Sequence, residues 1–133
     1  MIKSLNTYDN MTSLTTNRLK IEDIDDKEVE MKKDFLVGDG ATYTGQMKLI
    51  YDTDTREKVW IKHGKGEQIW QDGAKYNGDW RNGMAEGQGT FYHANADVYT
   101  GEFFQDRANG FGVYVHSNGQ RYEGYWKDDM QDG

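Results

Sequence analysis

The stretch YNGDWRNGMAEGQGTFYHANADV, residues 76–98, decides the fold, because its pattern recurs every 23 residues. Tyr76, Tyr99 and Tyr122 lie one period apart, and a glycine follows each of them by two residues. Two positions after those glycines come the aromatic residues Trp80, Phe103 and Trp126. Glycines at positions 87, 110 and 133 complete the pattern. A fixed period of this length is typical of repeat architectures, which usually present a surface to partners.

Each period predicts one β-hairpin. In residues 76–80 the aromatic residues alternate with polar ones, so they share one face of a strand. Residues 81–83 (Arg-Asn-Gly) supply a turn, and residues 87–93 form the second strand. Residues 117–120 (Ser-Asn-Gly-Gln) are a strong turn signal between the hairpins. We therefore predict an all-β fold, an elongated single-layer antiparallel meander of stacked β-hairpins.

The glycine inside each aromatic strand has a packing explanation. Gly78, Gly101 and Gly124 lie between two aromatic residues on the same strand face. A side chain there would occupy the space into which the neighbouring rings pack. The Tyr-x-Gly-x-Trp pattern is therefore explained by structure before any chemical role is considered.

The first repeat is interrupted by an insertion. Tyr43, which starts it, precedes Tyr76 by 33 residues instead of 23, so an insertion falls within residues 48–58. Met47, Leu49 and Tyr51 alternate on one side, and residues 52–55 provide a turn. The insertion is therefore predicted to lengthen the first hairpin by about five residues, or about 17 Å.

The chain divides into an N-terminal extension, residues 1–33, and a repeat array, residues 34–133. The extension is polar and acidic, and its apolar residues fit neither a helical stripe nor a strand alternation. Two interpretations stay open: a disordered or partly extended tail, or a segment that orders against a partner or along the repeat sheet. The array consists of the interrupted first repeat and the repeats that start at positions 76, 99 and 122.

Composition and charge exclude several classes of function. The net charge is −7, with 6 basic and 9 acidic residues in 1–40 and 10 and 14 in 41–133. Neither part offers the basic stripe that nucleic acid requires, and contact with a phosphoinositide membrane is expected to be secondary. Because the chain has no cysteine, it has no disulfide framework or thiolate metal cluster.

No motif predicts catalysis, a cofactor or a metal site. His93 and His116 lie one period apart, which places them two strands apart in the sheet, about 10 Å. Zinc ligands must each come within about 2.1 Å of the ion. The Gly-x-Gly pairs lack the lysine and the following helix of a phosphate loop. We therefore predict a non-catalytic protein without cofactor.

The motif Tyr-x-Gly-x-Trp-x-x-Gly-x-x-x-Gly-x-Gly at 23-residue spacing resembles the MORN repeat (membrane occupation and recognition nexus). The resemblance covers residues 43–133, with Met47 in place of an aromatic residue and Ala96 in place of a turn glycine. It implies a cytoplasmic scaffold or adaptor that joins proteins in a ciliary (axonemal) or other cytoskeletal complex. It also implies two alternatives, a phosphoinositide-binding membrane tether and a regulatory module of a larger lipid kinase or methyltransferase.

Two features of the array are predicted to contact protein partners. Aromatic side chains are good anchors at interfaces, and the candidates are Tyr51, Trp60, Tyr76, Trp80, Tyr99, Phe103, Tyr122 and Trp126. The second feature is the sheet edge near Gly133, where the second strand of the last repeat should begin. We expect a partner or further repeats to cover this edge, because an open edge invites strand addition.

Overall fold

The computed structural model describes residues 29–132, and all regular structure in that range is β-strand. The strands are β1 (Val29–Leu36), β2 (Thr42–Asp52), β3 (Glu57–Ile69), β4 (Lys75–Arg81), β5 (Met84–Tyr92), β6 (Val98–Phe104), β7 (Arg107–Val115), β8 (Arg121–Lys127) and β9 (Met130–Gln131). Each strand pairs antiparallel with its neighbours in the chain, which makes one open sheet. The predicted meander of hairpins is confirmed.

The first strand crosses the predicted boundary between extension and array. β1 pairs Phe35 with Tyr43 and Val29 with Lys48, so residues 29–33 belong to the sheet. Their polar composition fits an edge strand, which has a neighbour on one side only and commonly carries charged side chains. The rest of the predicted extension, residues 1–28, lies outside the described residues, as does Gly133.

The first hairpin is the longest. β2 has 11 residues and β3 has 13, whereas the two strands of the next hairpin have 7 and 9. The strands run through the 48–58 insertion and end at the pair Asp52–Glu57. Asp52 Oδ1 accepts a hydrogen bond of 2.9 Å from the Asp54 amide in the turn. The insertion therefore projects as an ordered hairpin beyond its neighbours.

The β2–β3, β4–β5 and β6–β7 ladders within hairpins each contain an irregularity, whereas the β3–β4, β5–β6 and β7–β8 ladders between hairpins do not. In β4–β5 the register shifts between Gly78 and Trp80, so Asp79 lies opposite residues 86–88. The same shift occurs in β6–β7, and the β3–β4 and β5–β6 ladders run without one. Such bulges increase the local twist of a hairpin.

The two faces of the sheet differ in what they carry. One face, here called the aromatic face, carries the repeat tyrosines and their partners and forms the main core. The opposite face, here called the outer face, carries the alternate residues of the same strands. Lys75, Thr90 and Val98 belong to the outer face. Each is the neighbour, along its strand, of one of the paired core residues Tyr76, Phe91 and Tyr99, and neighbouring side chains in a strand point to opposite faces.

Candidate partner-binding surfaces

Each repeat tyrosine lies across a pair of facing glycines. Gly78 pairs with Gly89 across β4–β5, and a Cβ on Gly89 would come within 2.4 Å of the Tyr76 hydroxyl. The ring therefore covers bare backbone, and Tyr76 Oη donates a hydrogen bond of 2.8 Å to the carbonyl of Asp79. Tyr99 does the same with the Glu102 carbonyl at 2.9 Å. The packing role predicted for the strand glycines is thus visible in the geometry.

The aromatic face is one continuous chain of rings. Trp80 packs edge-to-face with Tyr43 and Tyr76, at ring-centroid distances of 5.5 and 4.8 Å. Phe103 contacts Tyr76 and Tyr99 in the same way, at 5.0 and 5.1 Å. The aromatic residue at the centre of each repeat therefore joins its own tyrosine to the tyrosine of the preceding repeat.

The structure places the eight predicted contact residues in two groups. Five are buried within the aromatic face: Tyr76, Trp80, Tyr99, Phe103 and Trp126. Because their own sheet encloses them, we assign these five to packing instead of partner contact. Tyr122 and Trp60 are half-buried and pack against the same core, and Tyr51 is 51% exposed near the tip of the first hairpin.

Burial also keeps the hydroxyl groups of Tyr43 and Tyr99 neutral. It raises the pKa of Tyr43 and Tyr99 above the ordinary value for a phenol. Their hydroxyl groups therefore remain hydrogen-bond donors to the backbone at any physiological pH. These groups are structural and offer no acid or base.

The outer face carries positions that are equivalent from repeat to repeat but differ in chemistry. In β3–β4 the facing pair is Lys65 and Asp79, which form an ion pair. One period later the equivalent pair is Gln88 and Glu102. In β7–β8 it is Phe111 and Tyr125, whose rings meet edge-to-face at 5.6 Å. The polar pair of the earlier repeats has become an aromatic pair.

This aromatic pair is open to solvent. Phe111 is 43% exposed and Tyr125 is 62% exposed, and Phe104 on the same face is 50% exposed. In the described residues, further exposed apolar side chains of the outer face are Met31, Leu36, Ile69 and Tyr92. Large exposed aromatic side chains in one place are typical of interaction surfaces.

A family model now identifies the repeats, since the MORN repeat model matches residues 61–75, 76–98, 99–121 and 122–133. The chain belongs to the MORN-repeat family. The matched segments contain the strands in which a repeat tyrosine packs over two facing glycines. No curated protein matches the chain. Residues 43–60 lie outside the matched segments, although Gly45 faces Gly66 there as Gly78 faces Gly89 in the next MORN hairpin.

The MORN hairpins contain side-chain caps that the motif did not reveal. Asp79 Oδ2 accepts a hydrogen bond of 3.0 Å from the Gln88 amide, which the bulge leaves outside the ladder. Asp106 Oδ1 accepts one of 2.7 Å from the Ala85 amide and so joins one turn to the preceding hairpin. The carboxylates are thus part of the repeat architecture.

A buried polar network lies at the end of the aromatic face that contains the turns between repeats. Asp97 accepts hydrogen bonds from Tyr114 Oη at 2.7 Å and from the Ser117 amide at 2.8 Å, and His116 Nδ1 lies 3.5 Å from it. The bond from Tyr114 holds the pKa of Asp97 below its ordinary value. His93 packs on Phe91 and Tyr114, and its burial lowers its pKa to about 4. His116 packs on the other side-chain contact of Asp97, the Tyr114 ring, at a centroid distance of 4.7 Å, so both histidines contact aromatic rings.

The described part of the chain shows neither a metal cluster nor a membrane-spanning helix. Across residues 29–132, no group of three or more His, Cys, Asp or Glu side chains could hold an ion. That range also contains no helix with the length and hydropathy needed to span a bilayer.

Sequence reasoning missed the outer aromatic pair, here defined as Phe111 and Tyr125. Most of the predicted contact residues recur from repeat to repeat, and the recurring residues form the core. The signal for the pair lies at positions between the recurring ones. Positions 79, 102 and 125 read Asp, Glu and Tyr, and positions 65, 88 and 111 read Lys, Gln and Phe.

Proposed function

We propose that this protein is a non-catalytic MORN scaffold that binds a protein partner through the outer face of its last repeats. The observation that carries the proposal is the outer aromatic pair. At the positions where Lys65 and Asp79 neutralise each other, Phe111 and Tyr125 expose two rings to solvent. At the equivalent position, an ion pair is sufficient for the sheet to pack, so packing alone does not require two exposed rings. We therefore assign the pair a role in recognition.

The surroundings of the pair favour a protein over a membrane surface. Arg121 and Lys127 flank Tyr125 on β8, and so does Glu123, which pairs with Arg121 at 3.0 Å. Anionic lipid attracts clusters of unpaired basic side chains. Mixed charges around an apolar centre are instead the usual composition of a protein interface.

The cellular setting is proposed from the family alone. MORN scaffolds are expected in multiprotein assemblies, so we place this one in the cytoplasm, within a ciliary (axonemal) or other cytoskeletal complex. Tyr51 and Trp60 on the first hairpin, and the sheet edge at β8, remain predicted contacts. Of β8, residues 126 and 127 pair with β9, and within residues 29–132 positions 121–124 have no strand on that side.

Proximity labelling in the source cells tests this proposal. The double variant Phe111→Gln/Tyr125→Glu restores polar side chains like those one period earlier and should lose the enriched partners at least tenfold. The matched control is Gln88→Ala, at the position equivalent to Phe111 in the preceding repeat, which should retain them. Equal enrichment by the pair variant and the wild type would contradict the proposal.

A lipid assay separates the membrane alternative. The purified chain is floated with phosphatidylcholine vesicles that contain a few per cent phosphatidylinositol bisphosphate. We expect no flotation above that with phosphatidylcholine alone. Saturable, salt-sensitive flotation would support the tether alternative and contradict a purely protein-binding role.

A further inference from the structure

A row of facing glycines crosses the sheet and ends at the edge strand β8. Each strand from β2 to β8 contributes one glycine to this row, from Gly45 to Gly124. In each hairpin the tyrosine of the first strand packs over the glycine of the second, as Tyr99 does over Gly112. In the described part of the chain no strand faces Gly124 on the open side of β8, so Tyr122 has no second glycine to cover.

The contacts of Tyr122 are correspondingly incomplete. Tyr76 and Tyr99 are fully buried, whereas Tyr122 at the equivalent position is half-buried. Its hydroxyl group donates to the carbonyl of Tyr125 over 3.4 Å, compared with 2.8 and 2.9 Å for the equivalent bonds of the two earlier tyrosines. The site that encloses a tyrosine in the earlier hairpins therefore lacks one of its two strands at β8.

The earlier hairpins show which residue a further strand must carry opposite Gly124. A Cβ on Gly89 would lie 2.4 Å from the hydroxyl oxygen of Tyr76, and a Cβ on Gly112 would lie 2.2 Å from that of Tyr99. Both distances are well below van der Waals contact, so only glycine leaves room for the tyrosine ring. A strand that pairs with the open edge of β8 therefore needs glycine at this position.

The position two residues after the facing glycine is also defined. In the β4–β5 and β6–β7 hairpins it carries an aromatic residue, with Phe91 opposite Tyr76 and Tyr114 opposite Tyr99. Both Phe91 and Tyr114 are buried in the aromatic face. An added strand would therefore place an aromatic ring opposite Tyr122, where it covers the exposed part of the tyrosine.

The two edges of the sheet differ in their capacity to pair with a further strand. β1 carries Lys32, Lys33 and Asp34 in succession, and its ladder with β2 shifts register around Asp34, whose φ is 52°. Charged side chains and bulges discourage pairing at a sheet edge. β8 pairs with β7 over residues 121–126 without a shift, and its positions 121–124 are open on the other side. The edge of β8 is therefore suited to strand addition.

We propose that the open edge of β8 binds a partner protein by strand addition and selects a segment that reads glycine, any residue, aromatic residue. The segment lies antiparallel to β8, with its glycine opposite Gly124 and its ring opposite Tyr122. This inference rests on the proposed function, since it names the kind of segment that the protein partner presents. It adds the edge of β8 to the outer aromatic pair as a second contact.

The 133 residues of this sequence do not themselves supply such a segment. Residues 1–28, which lie outside the described range, contain no glycine. Gly133 is equivalent to Gly110, whereas the residue that faces Gly101 is Gly112. The other glycines of the array lie in turns or in strands that are paired on both sides. Because the same holds for a second copy of the chain, we assign the segment to a different protein.

Peptide binding to the purified full chain tests the proposal. The probe is Gly-Phe-Gly-Val-Tyr-Val-His, the sequence of residues 110–116, which contains the required glycine and aromatic residue. We expect saturable binding that shifts the amide NMR signals of residues 121–124 in the ¹⁵N-labelled chain. The same peptide with alanine in place of Gly112 should bind at least tenfold more weakly. Equal binding of the two peptides, or no shifts at residues 121–124, would overturn the proposal.

Matched glycine variants of the chain locate the contact. Gly124→Ala places a methyl group where the added strand must approach, because a Cβ on the equivalent Gly101 would lie 2.5 Å from the facing Gly112 Cα. It should weaken binding of the glycine peptide at least tenfold. Gly119→Ala, in the turn before β8 with no atom within 4 Å of the new Cβ, should change it less than twofold. Unaltered β6 and β7 signals show that the array is folded, and undiminished binding to Gly124→Ala contradicts the proposal.

The peptide assay and the proximity labelling can fail separately. The assay contains only the purified chain and the probe, so a failure to bind overturns strand addition and leaves the result for the outer aromatic pair unchanged. Retained partner enrichment in Phe111→Gln/Tyr125→Glu contradicts binding through the outer face and leaves the peptide result unchanged. The two experiments therefore distinguish a wrong choice of segment from a wrong choice of surface.

Discussion

The two faces of this sheet are made by the same strands and use their side chains differently. On the aromatic face, Trp80 and Phe103 repeat the same contacts with the tyrosines on either side. On the outer face, equivalent ladder positions change from the ion pair Lys65–Asp79 to the aromatic pair Phe111–Tyr125. Side chains that are the same at equivalent positions of each repeat form the core. Side chains that differ between equivalent positions form the candidate contact surface.

The difference follows from how a single-layer sheet obtains a core. With no second layer in the described residues, large rings must lie flat against one face and cover each other. Such packing requires the same ring at the same place in each repeat, together with the glycine pair beneath it. The opposite face has no such constraint, so its side chains are free to differ.

The largest expected effect comes from filling a glycine pair on the aromatic face. A Cβ on Gly101 would lie 2.5 Å from both Gly112 Cα and the Phe111 carbonyl oxygen. Since both are backbone atoms of the paired strand, Gly101→Val should lower the free energy of unfolding by about 4 kcal/mol or more, measured by urea denaturation.

Gly119→Ala is the control, because nothing lies within 4 Å of a Cβ there and only its φ of +92° is unfavourable. It should cost about 1 kcal/mol. Similar losses for the two variants would show that steric exclusion does not explain the recurring glycine.

Trp80→Ala should have the next largest effect. The indole contacts two tyrosine rings, donates from Nε1 to the Gly66 carbonyl at 3.0 Å and lies 4.0 Å below the Lys62 ammonium. Removing it should cost about 3–5 kcal/mol in urea denaturation. Trp80→Phe, which introduces the side chain found at position 103, should cost less than half as much. Equal losses would mean that the contacts between neighbouring rings contribute little.

Acid should destabilise the aromatic face through His93. The pKa of His93 is about 4 in the folded protein and 6.5 in the unfolded chain, so protons bind preferentially to the unfolded chain between these values. Its contribution is complete above pH 6.5 and is lost as the pH falls towards 4. After allowance for solvent screening, we expect this effect to contribute about 1–2 kcal/mol.

The lowered pKa of Asp97 acts in the same direction but at lower pH, through protonation of the folded carboxylate. Urea denaturation from pH 7 to pH 4 measures the combined dependence. His93→Phe should flatten it, since the equivalent position one period earlier holds Trp70. An unchanged slope in this variant would assign the pH dependence to other groups.

The smallest effect on stability is expected on the outer face. Tyr125→Ala removes one edge-to-face contact with Phe111 and leaves the aromatic face intact. It should cost less than about 1 kcal/mol in the same denaturation assay, while reducing partner enrichment in proximity labelling at least tenfold. A loss of stability close to that of Trp80→Ala would remove the distinction between the two faces.

Much of the fold could be predicted from the period alone. Alternation within residues 76–80 places the rings on one face, and the glycines at 78 and 89 leave space for them. The projecting first hairpin was also predictable from Met47, Leu49 and Tyr51. The start of β1 at Val29 was not, because an edge strand of polar residues has the composition of a tail.

The candidate surface was much less predictable. Trp80 and Trp126 were predicted to contact partners, but both are buried. Tyr43, 37 residues earlier in the chain, packs against Trp80, and Tyr99 and Tyr122, 27 and 4 residues earlier, pack against Trp126. A ring is buried when side chains of neighbouring strands cover it. The spacing of residues along one strand does not predict which side chains these are. The outer aromatic pair was visible only as a departure from the motif.

By itself, the sequence determined the repeat family, the order of the hairpins and the face on which the repeat aromatic residues lie. These follow from local rules, the period of two along a strand and the conformations that turns require. Only the tertiary structure decided which rings are exposed, and that Lys48 is buried beside Ile50 and Ile61. Those properties arise from ladder register, which brings together residues that are distant in the chain.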